Sequence, residues 1–352
     1  MYRVFGELFL LHAEGCFMID PHLPLIDLHR HLDGSVRLET ILELSRQHGL
    51  TLPSWDLEGL RPYVQVTSAQ PGVMAFIEKL GWMTGVLVDY EACRRIAYES
   101  VEDAFREGIH YVELRFSPWF MSIPHRIDPA NIVEAVVQGV RQAAHATGMQ
   151  VGLIGILSRS YGPEIAWQEL EALLQHSHSL VGVDLAGDEE NYPAELFIEH
   201  FQKARQSGLR VTAHAGEADG PDSIWQAIQG LGATRIGHAV RAGEDPSLIA
   251  YMAEHSIGIE ANLTSNLQTS TVKDYASHPL KQFIEQGLLA TINSDDPGVS
   301  GITLRHEYEI AAPAAGLNQE QIRQAQMNAL EVAFWAFEER QALLEKFRNQ
   351  AG

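Results

Sequence analysis

Two histidines stand one residue apart at the end of an apolar run, PLIDLHRHLDG, residues 24–34. Side chains at i and i+2 of a strand point to the same side, so His29 and His31 put two imidazoles on one face. Three other apolar runs end in groups of the same kind. RVTAHAGE (210–217) ends in His214 and Glu217, RIGHAV (235–240) carries His238, and LLATINSDD (288–296) ends in Asp295 and Asp296, followed by Pro297. Three histidines and a carboxylate make a nitrogen and oxygen donor set that suits zinc, with a position left open for water. Each group alone has a plainer reading. The chain has 16 histidines, and a lone one is commonly a surface or satisfied core group. An acidic pair before proline is commonly a turn or a helix cap. The joint placement at four run ends is what points to one metal site.

Those ends need a scaffold that brings them together. Eight apolar runs recur: 24–31, 110–118, 150–157, 180–188, 210–217, 235–240, 258–265 and 288–296. They are short and rich in Val, Ile and Leu, without clean alternation, which suits strands buried on both faces. Helical stretches lie between them. Ser35 is placed to cap LETILELSRQH, which stops at Gly49, and Asp89 to cap YEACRRIAYESVEDAFRE, which stops at Gly108. PDSIWQAIQGLG and PLKQFIEQG have proline near the start and glycine at the end. Eight strands alternating with helices predict an α/β chain folded as a parallel (β/α)8 TIM barrel, whose active site lies at the C-terminal strand ends. A doubly wound sheet is disfavoured, because the first strand-to-helix turn, HLDGSV, has no GxGxxG loop. About 79 residues separate His31 from the second strand. That span predicts extra helices after strand one, on the catalytic rim, where a lid would sit.

The 352 residues carry a net charge of −21, with 46 acidic against 25 basic side chains. Such a field repels phosphate backbones and anionic lipid, so neither nucleic acid nor membrane is an expected partner. Cys16 and Cys93 make no metal or redox spacing, in keeping with a cytoplasmic location. Residues 1–17, MYRVFGELFLLHAEGCF, read as neither signal peptide nor membrane span. They are either an N-terminal extension or a mis-assigned start before Met18, with residues 18–352 as a single barrel domain. Two-metal barrel hydrolases often bridge their metals with a modified lysine at strand four. Here that strand is LVGVDLAGDE, and none of the five lysines, Lys79, Lys203, Lys273, Lys281 and Lys346, falls at a strand end. One metal per chain is therefore expected. At other strand ends, Glu113 and Arg115 read as a barrel salt bridge, and Asp184 and Asp188 as fixing the loop at Gly187. Ser265 and Asn266 line the mouth or cap the next helix. Trp82, Phe116 and Trp119 are lid or core aromatics, with core favoured.

The motifs HRHLDG (29–34), DLAGDE (184–189), HAGE (214–217), RIGH (235–238), LTSN (263–266) and NSDDP (293–297) resemble the adenosine deaminases, within the metal-dependent amidohydrolase barrels. The resemblance runs from about Pro24 to the C-terminal helices. It is nearest to bacterial members through YVELRFSP, HAGEADGPDSIWQAI and TSNLQTSTV. It implies hydrolytic deamination of adenosine and 2′-deoxyadenosine to inosine and ammonia, in purine salvage and nucleotide metabolism. His29, His31, His214 and Asp295 would be the zinc ligands, and Glu217 the proton donor to purine N1. His238 would orient and deprotonate the water. Asp296 would bond N7, the Gly187 backbone N3, and Asp33 the ribose 5′-hydroxyl, beside His31. Two departures stand out: Ala239 where glycine is usual, and Ser294 where threonine is usual. Ala239 matters if the backbone there needs positive φ.

The chemistry asks for these roles on its own terms. Adding hydroxide to C6 needs an activated water and a ring made electrophilic at N1, hence a protonated acid in a dry pocket. The alternative within the same chemistry is a deaminase of adenine or another 6-aminopurine. Asp33 favours a nucleoside, since adenine-specific relatives tend to carry glutamate in HLDG. A hydrolase of cyclic amides or esters is disfavoured by the missing lysine and the HAGE glutamate. A binding protein with a dead site is disfavoured by the complete set of ligands and acid.

Overall fold

The computed structural model describes residues 18–66 and 68–350; the possible extension at 1–17 lies outside them. All eight apolar runs form strands: β1 (Ile26–His31), β2 (Tyr111–Phe116), β3 (Gln150–Ser158), β4 (Gly182–Ala186), β5 (Arg210–Ala215), β6 (Arg235–His238), β7 (Gly258–Ala261) and β8 (Leu289–Ile292). They pair in parallel in sequence order, β1 to β8. His29, His31, His214 and His238 fall at or near the C-terminal ends of β1, β5 and β6, whereas Glu217, Asp295 and Asp296 lie just past β5 and β8. All six residues of β2 are buried, as the missing alternation requires.

The seam between β8 and β1 is closed by the active residues themselves. Asp295 N donates to the His29 carbonyl at 2.7 Å, and His31 N donates to the Asp295 carbonyl at 2.8 Å. The Leu28 N–H adds a bond to Asn293 Oδ1 at 3.0 Å. Ring closure thus fixes β1 and β8 side chains relative to one another through backbone hydrogen bonds.

Four helices fill the long span after β1: α1 (Leu38–His48), α2 (Leu57–Val64), α3 (Val73–Thr84) and α4 (Tyr90–Arg106). Asp89 caps α4, accepting from Ala92 N. Helix α4 buries Ala92, Cys93, Ile96, Ala97, Ser100, Val101 and Ala104, one helical face, against the helix Pro129–Thr147. Helix α1 ends at Gly49 in the left-handed region, φ 65°. Ser35 is not its cap: Arg37 holds that position without a side-chain bond, and Ser35 Oγ instead donates to the His31 carbonyl. The strand end outcompetes the helix for that hydroxyl. Below the barrel, the helix Gln319–Val332 packs along β8 and β1. Phe334 follows it and stacks 3.6 Å from the Arg235 guanidinium.

Candidate active site

At the rim, the expected ligands meet. His29 Nε2 and His31 Nε2 lie 3.1 and 3.2 Å from His214 Nε2. The same two nitrogens lie 3.2 and 3.4 Å from Asp295 Oδ1. Ligands about 2.0–2.1 Å from a tetrahedral zinc are separated by roughly 3.3–3.4 Å, so this donor set fits a metal of that size. Imidazole nitrogens converging lone pair to lone pair repel unless a cation lies between them. His238 stands further out, its Nε2 3.8 Å from Asp295 Oδ2. His29, His214, His238 and Asp295 each offer an atom within 4.8 Å of the others, and so do His31, Asp295 and Asp296. The site is a buried group of histidine and aspartate side chains able to hold a metal ion.

The other ring nitrogens of two of these histidines are held from below. His29 Nδ1 lies 2.7 Å from Glu260 Oε2 and His214 Nδ1 3.2 Å from Asp184 Oδ1, which turns each Nε2 towards the centre of the donor group. Glu260 also accepts from Arg115, Arg235 and Thr212, and Asp184 from Arg115. Burial opposes ionisation of Glu260, but the two guanidiniums win and hold its carboxyl well below the usual range. Glu113 and Arg115, expected to pair with each other, do not: Glu113 takes Arg235, and Arg115 takes Asp184 and Glu260. Neighbours on one strand alternate faces or stagger in depth, so the partners come from across the barrel. Asp184 likewise serves His214 rather than the Gly187 loop, and Asp188 bonds Asn191. Glu260 had no functional signal in the sequence beyond its place in an apolar run.

Glu217 is buried, and desolvation pushes its carboxyl well above the usual range, with Asp295, Glu189 and Asp296 pushing the same way. Its Oε1 lies 3.4 Å from His238 Nδ1. Burial lowers the His238 imidazole well below its ordinary value, so it is neutral. Burial, with Asp295 and Asp33, raises Asp296, although His31 opposes this. The loop bearing Glu217 is tied down by Glu189, whose carboxylate accepts from the N–H groups of Gly216, Glu217, Ala218 and Asp219 and from Ser223 Oγ. Glu189 ends the DLAGDE motif, which was the one available signal for it. Asp33 Oδ1 and Asp296 Oδ1 are buried without a hydrogen-bond partner. Both residues line a cavity of about 390 Å³ with His31, Gly187, Glu217 and His238, open above the metal group. Helix α3 walls it with Phe76, Ile77 and Leu80, so the inserted helices lie where a lid was expected.

Backbone geometry explains two glycines and one departure. A Cβ on Gly34 would fall 1.6 Å from Asp296 Oδ1, so the glycine of HLDG makes room for that carboxylate. Gly187 sits at φ 115°, where a Cβ would meet Ser160 Oγ at 2.5 Å. Ala239 does adopt positive φ, 51°, next to His238 at 64°; Asp295 is at 60°. Strain of this kind gathers at sites whose surroundings hold the backbone in place.

The sequence profile of the adenosine deaminase family matches residues 24–350. An adenosine deaminase of Escherichia coli O1:K1 / APEC is 56% identical over 329 residues, covering 94% of this chain and 99% of that protein. One from Serratia proteamaculans is 55% identical over 332 residues, covering 94% and 100%. Among solved structures, an adenine deaminase from Arthrobacter aurescens superposes with a TM-score of 0.86 at 24% identity, over 94% of this chain and 99% of that one, a likeness of fold. With near-complete coverage by relatives of that name, and a buried metal group at the mouth of a parallel barrel, this chain belongs to the adenosine deaminase family.

Proposed function

We propose a division of labour for the deamination of adenosine, and of 2′-deoxyadenosine, to inosine and ammonia. One zinc ion would be held by His29, His31, His214 and Asp295, the set whose donor spacing fits it. Bound there, the ion supplies the Lewis acidity that makes water nucleophilic near neutral pH. Glu217, kept protonated by its dry surroundings, gives its proton to purine N1 and draws electron density from C6. His238, neutral and beside both Glu217 and Asp295, orients the attacking water. Asp296, protonated by the same burial, donates to N7. The Gly187 N–H meets N3, and Asp33 Oδ1, the oxygen left free while Oδ2 accepts from Ser117 N, accepts from the sugar 5′-hydroxyl beside His31. We read residues 18–352 as one domain acting on a small purine nucleoside, in purine salvage in the cytoplasm.

The observation that carries this reading is an acid held neutral within reach of His238, beside a complete metal donor set. The test is ultraviolet absorbance of adenosine, and of adenine in parallel, with protein as purified, after chelation and after zinc is restored. Adenosine loss that follows zinc, with adenine untouched, is the expected outcome. Adenine loss alone would move the reading to an adenine deaminase and overturn the role of Asp33.

A further inference from the structure

Asn266 touches both the acid and the imidazole, His278 stands behind Asn266, and the reaction as described uses neither. Asn266 lies on the short helix Leu263–Gln268 that follows β7. His278 follows the turn Tyr275–Ser277, and both side chains are buried. His278 Nδ1 accepts from the Leu280 backbone N–H at 3.1 Å, so that nitrogen carries no proton. Burial pushes this imidazole down to about 3, so the ring is neutral and its one proton sits on Nε2. Nε2 lies 3.2 Å from Asn266 Oδ1 and donates to it. A backbone amide thereby settles which way the Asn266 amide points. Its Nδ2 faces His238 Nδ1 at 2.9 Å and Glu217 Oε1 at 3.2 Å, and its two hydrogens serve one acceptor each. Asn262 Nδ2, 3.4 Å from the same His238 nitrogen, has no comparable anchor, for its own Oδ1 is buried and unpartnered.

We infer that Asn266, held by His278, is a positioning residue that sets the tautomers of the catalytic pair, with the His238 proton on Nε2 and the Glu217 proton on Oε2. This rests on the roles proposed above for those two residues. With Oε1 occupied as an acceptor, Glu217 has its hydroxyl free for the purine. His238 turns an N–H towards Asp295 Oδ2, 3.8 Å away. With this tautomer the resting His238 would orient the attacking water as a donor from Nε2.

The direct test is a long-range ¹H–¹⁵N correlation spectrum of the full-length, zinc-loaded protein labelled at histidine nitrogens, with His238 assigned through His238→Ala. A proton on Nε2 and a bare Nδ1 at neutral pH support the inference. A proton on Nδ1, alone or with Nε2, overturns it. The spectrum reads this whether or not adenosine is the substrate, so the two readings fail separately. Kinetics give a second arm. Asn266→Ala should lower kcat about 10- to 100-fold, the usual cost of losing a partner just outside a reactive group, with KM for adenosine within about twofold. His278→Gln, which keeps an N–H within reach of the same oxygen, should retain most of kcat, while His278→Phe should match Asn266→Ala. An unchanged kcat in Asn266→Ala, or glutamine no better than phenylalanine, would overturn it; the wild-type spectrum decides if a variant does not fold.

Discussion

Glu217 illustrates how one residue acquires a function from its surroundings. Desolvation, and then the negative charges of Asp295, Glu189 and Asp296, make the ionised form costly, so the group stays an acid. Because its folded pKa is raised, the proton is present at lower pH, and turnover should fall as pH rises through that value. Glu217→Gln keeps the shape but has no proton to give. The variant is expected to lose about 10²- to 10⁴-fold in kcat while metal analysis still finds one zinc per chain. Near-normal turnover would sink the assignment of the acid.

At the scale of elements, the loop after β5 has to hold Glu217 without a helix or strand to fix it. Glu189, arriving from the end of β4, gathers four successive backbone N–H groups of that loop around one carboxylate. Glu189→Ala leaves those donors without their acceptor. The expected cost is about 3 kcal/mol in urea unfolding, with kcat lower by at least about tenfold. A variant of unchanged stability and kcat would mean that water or another side chain replaces the carboxylate. The seam shows the same economy. The bonds that close β8 onto β1 are made at His29, His31 and Asp295, so assembling the barrel also brings together three of the four residues proposed as ligands.

For the whole molecule, the buried charges beneath the site join the residues proposed to hold the metal to the packing of the barrel. Glu260 is shared by Arg115, Arg235 and His29. Glu260→Gln should destabilise the fold by about 3–5 kcal/mol, since two buried guanidiniums lose their counter-charge. Competition with a chelator should show zinc bound about 10- to 100-fold more weakly. Stability should also depend on pH through Glu307, a buried carboxyl that accepts from Thr264 N and is raised by burial from 4.5 to about 8. A raised folded pKa means that the unfolded chain ionises first, so this group's contribution is fully present below about 4.5 and is lost as pH rises towards 8. Glu307→Gln removes that dependence. The stability of the wild type relative to the variant, both zinc-saturated, should fall by on the order of a few kcal/mol between about pH 5 and pH 8. A constant difference across that range would show that Glu307 titrates normally.

The scaffold and the residues that meet at its mouth were legible in the order of residues alone. Buried parallel strands read as unbroken apolar runs, and a residue type at a strand end keeps its meaning wherever the strand lies in the ring. Eight runs, one long insertion and HRHLDG, HAGE, RIGH and NSDDP were therefore enough to predict the barrel, α1, α4 and further helices between them, and the gathering of His29, His31, His214, Glu217, His238, Asp295 and Asp296. Local cap chemistry was less dependable: Asp89 caps α4, whereas Ser35 is drawn to the His31 carbonyl by the strand end. Which side chain supports which emerges from the folded barrel. Glu260 and His278 carry no signal in the sequence, and the motifs that contain Glu189 and Asn266 do not say what these side chains hold; Asn266 and His278 lie 12 residues apart, and Glu260 and His29 lie 231 apart. Such pairings depend on depth within the barrel and on which side chains face each other across it. Periodicity along one strand carries no record of that distance.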